Sequence, residues 1–365
     1  MNGNRFGTIF QVTTWGESHG DSLGAIVDGC PSNLPLSDEH FDSDMLRRQG
    51  GKSAFTTERK ESDRVLIESG VFEGKTTGTP ISLRIRNETQ KSSDYEELRH
   101  VVRPGHADLT THLKQGHRDH RGGGRSSARE TASRVAAGVI AKKILKHYGV
   151  GLLAWLDSAG ENSLSLEERH ECETASLAQL RERCENSEVG CPFPVDWATR
   201  MKAAKELGDS WGGSVRCRVD GLPAGVGEPV FDKLGAQLSH ALMSLPAAVA
   251  FEAGGGLRMS RQPGSAIRDP IQGNPPAPAT NHHGGLLGGL STGLPLLVGV
   301  SFHAPTSIRQ TIRTVNLESG EELDLSVGGR HDSFPLPRVL PAVEAMVAIT
   351  LVDMLMRAGR IPEKL

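Results

Sequence analysis

The stretch "AVEAMVAITLVDMLMRAG", residues 342–359, reads as a helix that is apolar nearly all round. A helix with one apolar stripe can lie on a surface, whereas one that is apolar on every side must be covered on every side. The chain therefore has to build its core around this C-terminal helix. Pro341 suits the first helical position. Asp353 is the odd residue: Met346 and Ile349, seven and four residues earlier, are apolar neighbours on its face. A carboxylate there is costly unless paired or protonated. Two readings stay open, a buried ion pair with an arginine and a general base tuned by burial to work near neutrality. No uninterrupted apolar run approaches the roughly 18 residues of a membrane span. The N-terminus lacks the charged-then-apolar order of a signal peptide. A cytoplasmic protein without membrane contact is expected.

The rest of the chain of 365 residues reads as strand pairs and isolated helices, without regular strand–helix–strand alternation, which suggests an α+β domain. Residues 5–30 read as strand, loop, strand. "PLSDEHFDSDMLRRQ" reads as a helix with Ser37 as its cap, and Ser82 to Arg86 alternate as a strand should. A helix spans roughly Ala128 to His147. Ser127-x-x-Glu130 forms a capping box, Val135, Val139, Ile140 and Ile144 an apolar stripe, and Gly149 the left-handed stop. Residues 151–210 are the least informative, with one helix expected near 174–186. The five cysteines are odd in number and show no C-x-x-C spacing, so free thiols are expected rather than disulfides or a structural metal.

The chain carries a net charge of −3, yet "RPGHADLTTHLKQGHRDHRGGGRSSARET", residues 103–131, gathers four histidines and five arginines. Gly122-Gly123-Gly124 leads through Arg125, Ser126 and Ser127 into a helix start. Free N–H groups, the positive end of a helix dipole, two hydroxyls and an arginine make an anion site suited to phosphate. It is not a Walker loop, since no lysine follows the glycines in that pattern. Arg129 and Arg134 are about 140° apart on the helix, so at most one should face the loop's ligand. For Arg134 an ion pair with Glu130 is the competing reading. His19 in "GESHG" and His106 in "RPGHAD" sit on glycine-bounded turns, where an imidazole can approach a ligand and donate a proton near neutral pH. Arg47, Arg48, Arg330 and Arg338 add guanidinium groups that suit a substrate with several anionic groups. A polyanion or RNA module using residues 103–134 is the runner-up. The 4% aromatic content argues against a stacking platform for single strands.

Together "GESHG", "RPGHAD", "RDHRGGGRSSARET", "GLPAGVGEPVFD", "ALMSLPA", "NHHGGLLGGLSTG" and "GGRHD" resemble the chorismate synthase family, in family order along nearly the whole chain. The resemblance implies a single domain over residues 1–365. Its fold would be a β-α-β sandwich, with antiparallel sheets flanking a helical core, and its assembly a homotetramer. It implies a 1,4-anti elimination of phosphate from 5-enolpyruvylshikimate-3-phosphate to give chorismate, dependent on reduced FMN, with NADPH as a candidate reductant. A flavin enzyme with net redox chemistry is the other reading of the same cofactor.

By that resemblance His19 donates a proton to the departing phosphate, His106 stabilises the reduced flavin, and Asp353 is the base that keeps the flavin competent. FMN contacts fall on Arg125, Ser126, Ser127, Pro246, Ala247, Gly288, Arg330 and the loop His303, Ala304, Pro305, Thr306, Ser307. Arg48, Arg134 and Arg338 match arginines that hold the substrate, Arg48 also a nicotinamide-cofactor contact. The chain departs from the family pattern at Ala54, where an arginine is usual, at His303–Ser307, where proline and threonine are shifted by one, and at His120, where tyrosine is common.

Overall fold

The computed structural model of the protein describes residues 3–50, 61–89, 92–327 and 332–365. Two five-stranded antiparallel sheets lie on either side of a pair of helices. In spatial order the first sheet comprises Arg5–Phe6, Gln11–Gly16, Ser22–Asp28, Ile81–Arg86 and Val65–Ile67. The second comprises Ala248–Ala253, Leu296–Phe302, Gly213–Asp220, Gly151–Ala159 and Asn162–Ser163. Alternation sets which face is buried: Ile81, Leu83 and Ile85 point inward from one strand while Arg86 stays outside.

The central helix, Thr131–His147, packs on the first sheet. The C-terminal helix, Leu336–Arg357, packs on the second, and the two helices pack against each other. This is the expected α+β sandwich of antiparallel sheets around a helical core. Gly138 permits the close approach of the helices, because a Cβ there would lie 2.3 Å from the Cβ of Ala345. By length and composition the C-terminal helix could cross a membrane, but 94% of its apolar window is buried inside the fold. It is the core element its sequence demands.

Several local expectations change. The C-terminal helix starts at Leu336 with Pro337 in its first turn, so Pro341 lies inside it rather than at its start. The capping box at Ser127 does not form. Ser127 accepts from the Arg129 N–H and caps a 3-10 turn, Ala128–Glu130, ahead of the helix. Glu130 instead turns to Thr14 Oγ1 at 2.7 Å and Arg134 Nε at 2.8 Å, stronger partners than one backbone amide. The stop holds: Gly149 is left-handed, with φ of +72°. Residues 151–210 contain three helices, Leu166–Thr174, Leu177–Glu185 and Trp197–Glu206, where one was expected.

One acidic residue escaped notice in the sequence. Glu344, on the C-terminal helix, is buried and receives Arg47 at 2.7 and 2.8 Å, Lys142 at 2.5 Å and the Ala154 N–H at 3.1 Å. It ties together both central helices, the Asp42–Arg48 helix and the second sheet. Burial pushes its carboxyl up, but the charges of Lys142 and Arg47 outweigh burial and hold it well below the usual carboxylate range. All five cysteines are free. Burial pushes the Cys30, Cys172 and Cys184 thiols up to about 12.

Candidate active site

The glycine-rich segment joins the Asp108–Gln115 helix to the central helix and forms one side of a cleft of about 590 Å³. Gly122 and Gly123 line it, with Arg125, Ser126, Ser127 and Arg134 beyond them. His19 arrives from the turn between the second and third strands of the first sheet, and His106 from the "RPGHAD" turn. Pro246, Ala247, His303, Pro305, Thr306 and Ser307 close the opposite side, beside apolar Phe302, Leu336 and Val339. Gly122 has φ of +69°, and a Cβ there would sit 2.5 Å from the His19 ring. A side chain at this position would expel the imidazole. Ala247, a non-glycine residue at φ of +66°, is held in place by the His303 N–H, which donates to its carbonyl at 3.0 Å.

Each imidazole is held. His19 Nδ1 is 3.1 Å from Ser18 Oγ, and its ring stands edge-on to Tyr95 at 4.9 Å. His106 Nδ1 lies 3.0 Å from Asp108 Oδ1. That contact is close enough for an ion pair, but the nitrogen has no aligned hydrogen-bond partner. Asp108 is buried and receives three N–H donors from Arg103: the backbone at 3.1 Å, Nε at 2.7 Å and Nη2 at 2.9 Å. Burial pushes the Asp108 carboxyl up, but His106 and Arg103 prevail and keep it well below the carboxylate range.

The arginines divide by where they point. Arg134 lines the cleft, and the expected ion pair with Glu130 is present at 2.8 Å, together with Ser244 Oγ at 2.6 Å. Arg129 points the other way, to Asp63 and Asn87. Arg125 reaches the cleft wall, but its guanidinium is spent on Thr14, Gly16 and Asn4. Arg48 is buried against Asp63 at 3.1 Å, Thr131 Oγ1 and the carbonyls of Ala128 and Arg129, and does not line the cleft. Burial lowers its guanidinium to about 9 despite the Asp63 charge. Arg338 also stands outside the cleft lining, donating to Asp332 at 2.6 Å and to the Arg48 carbonyl at 3.1 Å. Arg103, Arg121, Arg129 and Arg134 pair with acids of their own fold, so the polyanion reading finds no support.

Asp353 does not line the cleft, and among the described residues it pairs with no arginine. Its Oδ1 accepts three backbone N–H groups, from Thr8 at 2.9 Å, Ile9 at 2.6 Å and Phe10 at 3.0 Å. The chain bends there between two strands, and the carboxylate satisfies the amides the bend leaves open. Two carboxylates line the cleft, Glu130, which pairs with Arg134, and Asp332, the last residue of "GGRHD". That motif had been read for Arg330, which lies outside the described residues, as does Ala54. Gly288 sits in a tight turn between Leu286–Leu287 and Leu290–Ser291 and does not line the cleft. Ala304 contributes its carbonyl to His303 Nδ1 at 2.7 Å rather than a face of the cleft. His120 lies 3.4 Å from Glu96. Tyr95, Trp211, Asp108 and Asp332 were not anticipated. Tyr95, one of only two tyrosines, had the clearest signal.

A family model described as chorismate synthase matches residues 10–356. The chain belongs to the chorismate synthase family. A chorismate synthase from Opitutus terrae is 47% identical over 97% of each chain. One from Methanosarcina mazei is 43% identical over 98% of each. A solved structure titled a crystal structure of chorismate synthase is similar with a TM-score of 0.76 and 30% identity, over 96% of this chain and 93% of that one. Chorismate synthases are carbon–oxygen lyases of the shikimate pathway, and this chain is one of them.

Proposed function

We propose that the cleft lined by His19 and His106 eliminates phosphate from 5-enolpyruvylshikimate-3-phosphate, giving chorismate, with reduced FMN bound beside the substrate. The observation that carries this is the meeting of two imidazoles from distant turns on either side of Gly122–Gly123. The residues present fit a flavin. The cleft combines an apolar wall, backbone brought close by glycines, and serine and threonine hydroxyls. Ser126, Ser127, Pro246, Ala247, Thr306 and Ser307 would hold it. When bound, reduced FMN supplies electron density to the allylic C–O bond as it breaks, in a reaction that is redox-neutral overall.

The chain's own residues do the rest. His19 donates a proton to the departing phosphate oxygen, which needs neutralising as the bond breaks. Arg134 offers a guanidinium edge to an anionic group while Glu130 and Ser244 fix its direction. His106 presents Nε2 to the Gly123 side of the cleft. Asp332, aligned by Arg338, takes the role expected of Asp353: a carboxylate that holds or moves a proton at the reaction centre. Val339, Leu336 and Phe302 exclude water from that face.

The active form is proposed to be a cytoplasmic homotetramer with the whole chain as one domain and NADPH as the source of reducing equivalents. The deciding experiment is anaerobic phosphate release from 5-enolpyruvylshikimate-3-phosphate with dithionite-reduced FMN. Phosphate released stoichiometrically with chorismate is the expected result, and none released would overturn the reading. Repeating it with NADPH and oxidised FMN tests the reductant, and light scattering of the protein in solution tests the tetramer.

A further inference from the structure

The buried acid next to His106 has no part in the elimination itself, yet its geometry is that of an anchor. Asp108 opens the Asp108–Gln115 helix, two residues after His106, so the "RPGHAD" turn folds the carboxylate back under the imidazole. Three Arg103 donors and a nearby Arg118, 3.5 Å from Oδ1, keep it in place. Arg103 also donates to the Gly122 carbonyl, so the same guanidinium joins the anchor to the cleft floor. The far ring nitrogen points at that floor: a Cβ on Gly123 would lie 3.2 Å from His106 Nε2.

We infer that Asp108 is a positioning residue that selects the Nδ1–H tautomer of His106 and turns Nε2 toward the cleft. An ionised carboxylate 3.0 Å from Nδ1 favours the proton on that nitrogen through its charge, although the contact is not aligned as a hydrogen bond. Nε2 is then the position through which His106 exchanges a proton with whatever the cleft binds. Free histidine prefers the opposite neutral tautomer, so the arrangement has a distinct signature. A carboxylate behind a histidine that fixes its tautomer is the logic known from metal and triad sites.

The test is nitrogen-15 NMR of histidine-labelled full-length protein, above the pH at which imidazoles lose their charge, compared with Asp108→Asn. In the wild type His106 should carry its proton on Nδ1. In Asp108→Asn the backbone N–H and Nε of Arg103, both on Oδ2, hold the amide oxygen, the amide N–H₂ takes the place of Oδ1 facing His106, and the proton should move to Nε2. Turnover should fall about 10- to 100-fold with KM little changed, by analogy with carboxylates that orient metal-bound histidines, and Asp108→Glu should restore part of it. A wild-type His106 protonated on Nε2 overturns the inference, whether or not the variant folds. So does an Asp108→Asn protein that folds and keeps both tautomer and kcat. The inference's meaning for turnover rests on the cleft being the active site, but the tautomer does not. A correct tautomer with no phosphate release would count against the proposed function alone.

Discussion

The helical layer and the cleft handle buried charge in opposite ways. Between the sheets, Glu344 and Asp353 are each committed to the fold: Glu344 to Arg47, Lys142 and a backbone amide, Asp353 through Oδ1 to three backbone amides. Neither lines the cleft. Around the cleft two polar groups are held while still facing the void. His106 is anchored through Nδ1 and presents Nε2, and Arg134 is held by Glu130 and Ser244 while still lining the void. A buried charged residue therefore indicates function only when part of its bonding capacity faces open space.

Substitutions can break or sharpen that contrast. The largest effect is expected in the cleft. His19→Ala and His106→Ala should each reduce phosphate release by about 10²- to 10⁴-fold, the span of general acid–base catalysis, with thermal unfolding nearly unchanged. A variant that keeps normal turnover would remove its imidazole from the mechanism.

In the helical layer the same kind of change should cost stability instead. Glu344→Gln leaves Arg47 and Lys142 buried beside a neutral amide, a loss of about 3–5 kcal/mol by comparison with broken buried pairs, read by urea unfolding. The pH dependence follows from its lowered carboxyl. A group depressed in the folded state contributes stability above its unfolded value, near 4.3. That contribution is lost as pH falls through and below this range toward the folded value. Wild-type stability should drop through that window, and the drop should be shallower in Glu344→Gln. Equal slopes would show that Glu344 is not the group responsible.

Two carboxylates sharpen the comparison at smaller scale. Asp353→Asn weakens three charge-assisted hydrogen bonds and should cost about 1–3 kcal/mol, while turnover per folded molecule stays within a few-fold. Asp332→Asn should do the reverse, losing most turnover at little cost in unfolding free energy. If Asp353→Asn abolished turnover in a folded protein, the separation of layer from cleft would fail. A last and smallest effect concerns the arginine wall. Arg125 is engaged by Thr14 and Gly16, so Arg125→Lys should raise the KM for substrate by less than Arg134→Lys does. Steady-state kinetics of the pair would show it.

Much of the fold was legible in the chain. The all-round apolar C-terminal helix had to be central, because no arrangement leaves it uncovered, and the strand alternation at Ser82–Arg86 set its inward face. The motifs that resemble the family also identified most of the cleft: His19, His106, Arg134 and the loops at 246–247 and 303–307 meet there. The helix and strand features are local, and periodicity records them, whereas the cleft loops are what the resemblance implies.

What the chain could not record is which distant groups answer a buried charge. Asp353 and Glu344 look alike along one helix, yet the first meets a bend 343 or more residues away and the second a lysine and an arginine from two other helices. Asp332 and Asp108 stood beside residues read for other purposes. Only the tertiary structure shows what they contact. A carboxylate's chemistry depends on how many donors reach it, and donors arrive through three-dimensional packing rather than along the sequence.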